Sequence, residues 1–214
     1  MCAKKTNSST SRGADRTAMP NPKVQKQTRV GFLVNPIAGM GGRVGLKGTD
    51  GVEKDALTLG AKPVAPARAV EFLRRLKELQ LTASTDLLTC PGVMGGDEVK
   101  SAGLKAEVLP MFLESETTAE DTKLAVKLMT ESKVDLIVFV GGDGTARDIF
   151  DAMRGAGGVP VLGVPSGVKM YSGIFSANPA DAAEVVQAFV EKSAQIMDFE
   201  IMDADAVSYT HLTL

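Results

Sequence analysis

The sequence predicts an α/β domain: an open, mostly parallel sheet with helices on both faces. Three observations carry this. Val134–Val140 (VDLIVFV) is nearly all apolar, as a central parallel strand covered on both faces must be. Strand-like runs alternate with helical patterns along the whole chain. No repeat of about 20–50 residues competes with that order.

The elements follow in sequence. Arg29–Val34 reads as the first buried strand and ends in Asn35-Pro-Ile-Ala-Gly-Met-Gly-Gly-Arg43. The stretch Pro36–Gly51 is glycine-rich and too long to be a plain connection. Pro66 starts a helix with Ala69, Phe72, Leu73, Leu76 and Leu79 on one face. Ser84–Thr89 is the next strand, GGDEVKSAG a short capped helix, and Ala106–Met111 a third strand. Thr118 is placed to cap a helix whose shared face holds Leu124, Ala125, Leu128 and Met129. After Val134–Val140 comes a helix over Thr145–Met153, then a short strand, Pro160–Val164. Asn178-Pro179 with Asp181 marks a helix start, with Ala182, Val185, Val186, Phe189 and Val190 in one stripe. Ala194–Met202 reads as the last strand of the sheet.

Length and composition set the frame. The 214 residues are enough for one large domain with a sizeable core. Apolar residues at 44% and charged residues at 23% are those of an ordinary globular chain. Trp is absent and aromatics are sparse, which argues against a stacking platform for single-stranded nucleic acid. The net charge of −2 is uneven. Residues 1–27 carry Lys4, Lys5, Arg12, Arg16, Lys23 and Lys26 against Asp15 alone, so the remainder is acidic and is no general nucleic-acid binder. An anionic substrate therefore needs its own cationic or amide-lined site.

The head, 1–27, is Ser/Arg-rich and acid-poor, as transit segments are. It holds too few large apolar residues for an amphipathic helix, so a disordered basic head is expected. The α/β domain is expected over 28–206. The last residues, 207–214, read as the start of a truncated second domain or as a foreign tail from about Ser208; His211, the sole histidine, lies there. Cys2 and Cys90 are expected to be reduced thiols of a cytoplasmic protein. No apolar run reaches the roughly 18 residues of a membrane span, so neither a membrane nor nucleic acid is an expected partner.

Ligands of open α/β sheets sit beyond the carboxyl ends of the strands. Two glycine-rich loops occupy that position. In Gly141-Gly142-Asp143-Gly144-Thr145, the glycines let a phosphate approach the main chain, and the following helix start favours an anion. Asp143 does not fit a phosphate cradle, since its charge repels phosphate. Three roles stay open for it: capping the helix, holding Mg²⁺ shared with phosphates, or taking a proton from an attacking hydroxyl. In NPIAGMGG, Asn35 fixes the turn or donates to a ligand, and Gly39, Gly41 and Gly42 free the backbone. Arg43 and Lys47 offer positive charge to a triphosphate or are solvated cations. The third loop is GVPSGVKMYSGIF (Gly163–Phe175). Ser166 and Gly167 can line a nucleotide, and Lys169 can face phosphate. Met170, Tyr171 and Phe175 are either core residues or ligand contacts, with core favoured for the Met and the Phe. Asp50 is a second carboxylate candidate, and Arg147 and Asp148 pair with the site or with each other. The Walker A pattern is absent, the dinucleotide fingerprint fails at Val44, and no Cys/His spacing suggests zinc.

Together these motifs resemble the superfamily of NAD kinases, diacylglycerol and sphingosine kinases, and phosphofructokinases. FLVNPIAGMGGRVGLKGTDG, FVGGDGTARDIFDA and VPVLGVPSGVKMYSGIF narrow the likeness to the ATP-NAD kinase-like branch that includes the acetoin-catabolism protein X group. It covers about residues 29–206. The resemblance implies the N-terminal domain of an NAD kinase/phosphofructokinase-like fold, and transfer of phosphoryl from ATP, or polyphosphate in some relatives, to the adenosine ribose 2′-hydroxyl of NAD. It implies Asp143 as the base. Gly141, Gly142, Gly144 and Thr145 would cradle phosphates. Asn35, Gly39 and Gly41 would belong to the nucleotide site, and Ser166, Gly167 and Lys169 to the third loop. Mg²⁺ would be held through the ATP phosphates, and the partners would be small-molecule nucleotides and further copies of the chain in a homo-oligomer. Family members continue into a β-rich second domain that supplies much of the acceptor pocket, so the 214-residue chain is expected to show little kinase activity. A lipid kinase is disfavoured because PSGVKMYSG lacks Gly-x-Asn-Asp. A non-catalytic nucleotide-binding accessory protein stays open.

Overall fold

A computed structural model of the chain describes residues 27–40, 63–154, 158–167 and 170–202, and the backbone of 210–213. The basic head, and Gly41, Arg43, Lys47 and Asp50, lie outside the described residues.

Five parallel strands form the main sheet: β1 (Thr28–Val34), β2 (Thr85–Thr89), β3 (Glu107–Val108), β4 (Leu136–Gly141) and β5 (Val161–Pro165), in the order β3-β2-β1-β4-β5. β1 and β4 are central and pair from Val30↔Leu136 to Val34↔Val140. Side chains of β4 alternate between two cores, as the pleat requires. Val138 and Val140 enter one, Ile137 and Phe139 the other. That double burial is why β4 is apolar at every position.

The first core is closed by α1 (Ala65–Glu78), α2 (Gly96–Ser101) and α5 (Pro179–Val190). α1 begins with proline in its first turn and buries Ala69, Phe72, Leu73 and Leu76 as the periodicity predicts. Phe72 stacks on Phe32 of β1 at 5.7 Å. At the start of α5, Asn178 Oδ1 accepts the Asp181 N–H at 2.9 Å. The second core is closed by α3 (Ala119–Glu131) and α4 (Asp143–Met153). At the start of α3 the Asp121 carboxylate accepts the Thr118 N–H at 2.8 Å, the reciprocal arm of a capping box.

The structure corrects several sequence expectations. α3 turns Thr122, Ala125, Val126 and Met129 inward, which leaves Leu124 exposed. In α5 the buried stripe is Ala182, Ala183 and Val186, and Val185 faces out. The third strand shrinks to two residues at the sheet edge, where a short strand limits unwanted pairing. α4 starts at Asp143, two residues earlier than its apolar pattern indicates. Ala194–Met202 does not join the main sheet: β6 (Asp198–Ile201) pairs antiparallel with β7 (Thr210–Thr213) in a separate two-stranded ribbon. Cys90 is buried with a free thiol, and burial pushes it up to about 12. Among the described residues no helix is long and apolar enough to cross a membrane.

One buried polar group works against the fold. Glu98 of α2 is 6% exposed, and its Oε2 is buried without a partner among the described residues. Burial raises its carboxyl above the ordinary range; its own N–H and that of Gly95 pull the other way, and Asp97 adds to the rise. A carboxyl raised on folding contributes fully below its unfolded value of about 4.3, and that contribution fades as pH climbs through the folded value. Glu98→Gln is therefore expected to raise the urea midpoint at pH 7, with the gain closing at pH 4. Equal midpoints at pH 7 would contradict the assignment.

Candidate functional site

Sheets of this kind place ligands beyond the strand ends where the strand order reverses. Here that point is the crevice between β1 and β4, and the three glycine-bearing loops meet around it.

Asn35 leaves β1 with every polar group engaged. Its N–H donates to Val140 O at 2.9 Å, its side-chain amide donates to Thr145 Oγ1 at 3.0 Å, and its Oδ1 accepts the Ile37 N–H at 3.2 Å. Asn35 thus closes its own turn and ties the first loop to α4. Gly39 has φ +83°, and a Cβ there would lie 2.1 Å from the Ser166 carbonyl oxygen. The first and third loops touch backbone to backbone at this point. The Ser166 N–H donates to Gly141 O at 3.0 Å, which joins the third loop to the second.

The glycines of the second loop differ in what they leave room for. A Cβ on Gly141 would fall 2.6 Å from Thr145 Oγ1, so this position clears space for the chain's own threonine. A Cβ on Gly142 would meet nothing nearer than Met170 at 3.8 Å. Gly144 is half-buried in the first turn of α4, and Thr145 is buried. Gly167 lies under Met170, whose Cε would sit 3.0 Å from an added Cβ. Ser166 is fully buried, and its hydroxyl has no partner among the described residues. Lys169 and Gly41 lie outside the described residues, as does Asp50.

Asp143 is the first residue of α4, and Gly142 holds the N-cap position. The helix-capping role is therefore not the one the geometry gives it. Its half-buried carboxylate reaches across to the third loop instead. Oδ2 accepts the Tyr171 N–H at 3.0 Å; Oδ1 accepts the Ser172 N–H at 2.9 Å and the Ser172 hydroxyl at 2.6 Å. A carboxylate offers about four lone-pair sites, so the bonds from the described residues leave one on Oδ2 over. The first amides of any helix lack intrahelical acceptors, and those of α4 open beside this carboxylate.

The rest of the third loop sorts by exposure. Phe175 packs edge-on against Phe139 at 5.4 Å, as expected of a core residue. Tyr171, for which the sequence leaves core and ligand contact both open, is exposed. Arg147 is half-buried one turn along α4. Asp148 lies towards α3: the Lys123 ammonium is raised mainly by its bond to Glu120, with smaller contributions from Asp148 and Asp151. Ser172 and the Tyr171 amide were not legible as partners of Asp143; nothing in KMYSG marks that serine as facing an acid on another loop. Among the described residues no group of three or more His, Cys, Asp and Glu side chains could hold a metal ion. A groove of about 720 Å³ runs along α1 and α2, lined by Val70, Arg74 and Glu98 among others, and shares no residue with the strand-end loops.

Fold and geometry together define a parallel α/β domain whose three glycine-bearing loops meet at the strand-order switch, around one carboxylate and a helix start. Residues 30–194 match the family model of the ATP-NAD kinase N-terminal domain, and the chain belongs to that family. Membership makes this the domain of a kinase-type phosphotransferase. No curated protein and no solved structure matches the chain.

The close approach at Gly39 makes a specific demand. Gly39→Ala is expected to lower stability by about 2 kcal/mol or more, since left-handed backbone and the clash with Ser166 add. Thermal unfolding measures it; an unchanged midpoint would mean that the first and third loops do not touch as described.

Proposed function

We propose that the domain transfers the γ-phosphoryl group of ATP to the adenosine ribose 2′-hydroxyl of NAD, forming NADP. One observation carries this reading above the rest: Asp143 is held at the switch-point crevice with a lone pair to spare, next to the open main chain of Gly142. A carboxylate repels phosphate and accepts a proton, so the group facing it is best a hydroxyl. In the proposed step Asp143 Oδ2 takes the hydroxyl proton as the ribose oxygen bonds to the γ-phosphorus. The bond from that phosphorus to the bridging oxygen breaks, and ADP leaves with the electron pair.

The remaining residues have supporting parts. Gly142 and the N–H groups opening α4, from Gly144 and Thr145, suit the phosphates. Asn35, Gly39, Gly141, Ser166 and Gly167 hold the three loops in register around them. Gly41 and Lys169 are assigned to the nucleotide, and Asp50 and Arg147 are secondary candidates, all on the sequence resemblance. Mg²⁺ would enter on the donor's phosphates and neutralise charge developing there. NAD as acceptor is favoured over a lipid because the third loop lacks Gly-x-Asn-Asp.

Asp143→Asn tests the base assignment. Asn keeps an acceptor for Ser172 but cannot take the proton. NADP formation, followed in a coupled assay on the longest form of the protein its gene encodes, is expected to fall by about 10²–10⁴-fold. Calorimetry on the 214-residue chain is expected to show Mg²⁺-ATP binding kept. Undiminished turnover would remove Asp143 as the base. Nucleotide binding without turnover in the parent would favour an accessory role.

A further inference from the structure

Ser172 is 5% exposed and is bonded on both sides through one hydroxyl. Oγ accepts the Met202 N–H at 3.0 Å and lies 2.6 Å from Asp143 Oδ1. A backbone N–H can only donate, so the hydroxyl's single proton is aimed at the carboxylate. The chain of bonds therefore has one direction, from the backbone after β6, through Ser172, to Asp143. Two further contacts bind the same segment to β6. The Gly173 N–H donates to Glu200 O at 3.2 Å, and Phe199 covers Gly173 so closely that a Cβ there would lie 2.6 Å from its ring. β6 is the strand that leaves the main sheet, and it has no place in the five-stranded order.

We propose that Ser172 is a positioning residue that couples the seating of β6 to the aim of the Asp143 carboxylate. The catalytic part of this rests on the kinase reading above. Two of the three bonds on Asp143 come from Ser172, so a shift of β6 that moves Ser172 turns the carboxylate. Linked polar groups of this kind reinforce one another, and losing one end weakens the rest. Whatever packs on β6 thereby gains a route to the site that crosses no part of the main sheet.

Met202→Pro removes the N–H donor and leaves Ser172 in place. Residue 202 lies just past β6, and the extended backbone of Ile201 is what a following proline requires. In the 214-residue chain, amide hydrogen exchange at Tyr171 and Ser172 is expected to speed up about tenfold, with the amides of Ile137–Val140 unchanged as the control on the fold. Ser172→Ala is expected to do the same at Tyr171, and it carries the comparison if Met202→Pro loosens the sheet. In the longest form of the protein, both variants are expected to lower kcat for NADP formation about tenfold with the KM for ATP kept. Exchange at Tyr171 unchanged in both variants would overturn the coupling. Faster exchange with kcat kept would overturn the positioning role. A parent that neither binds ATP nor forms NADP would end the kinase reading, and the exchange result would still decide the coupling.

Discussion

The bonds from Tyr171 and Ser172 to Asp143 hold the candidate site together. Without them, the third loop would meet the second only through the backbone bond from Ser166 to Gly141 and the cover of Met170. With them, a carboxylate on the first residue of α4 becomes the node that fixes where the third loop runs. Each such bond contributes about 1 kcal/mol net, but leaving a buried partner unmade costs more. The buried Ser172 hydroxyl makes that asymmetry bite, because Asp143 and the Met202 N–H satisfy it together.

The same node explains why one carboxylate is placed among glycines. A helix start attracts anions, and a side-chain acid there takes part of that attraction for itself. Asp143 sits at that start, yet its carboxylate bonds to another loop, so it does not cap the first amides of α4. Gly142, in the N-cap position, adds no side chain to block them. The arrangement separates two jobs that a single capping aspartate would merge: orienting an acid, and leaving a helix terminus open.

Much of the fold was legible because burial on both faces leaves a plain mark. Val134–Val140 has no polar alternation except Asp135, and β4 is the central strand. Helices with one inward stripe, such as α1, were equally plain. What failed were decisions set by neighbours. Leu124 and Val185 lie just off stripes whose rotation depends on which helix packs alongside. The strand-like pattern over Ala194–Met202 indicates extended backbone, but nothing local says whether its partner is β5 or a later strand. α4 was begun late because glycine lowers helix propensity, whereas the tertiary bonds of Asp143 hold its first turn in place.

The glycines teach a sharper lesson about the site. A glycine-rich strand end reads as a place for a ligand to approach the backbone, and three of those positions here answer to the chain's own atoms. Gly39 admits the Ser166 carbonyl, Gly141 admits the Thr145 side chain, and Gly163 admits Phe175, whose ring atoms would lie 2.5 Å from an added Cβ. Gly142 faces space that no described atom fills closely. Spacing in the sequence pointed to strand-end loops that the fold brings together, since loops that pack this tightly must meet at one point. It did not distinguish the glycines that build the walls from the one that faces the opening, because both need the same missing side chain. That distinction belongs to three-dimensional packing. It makes Gly142, not its neighbour Gly141, the position where an added methyl would project away from the described protein atoms and not into them.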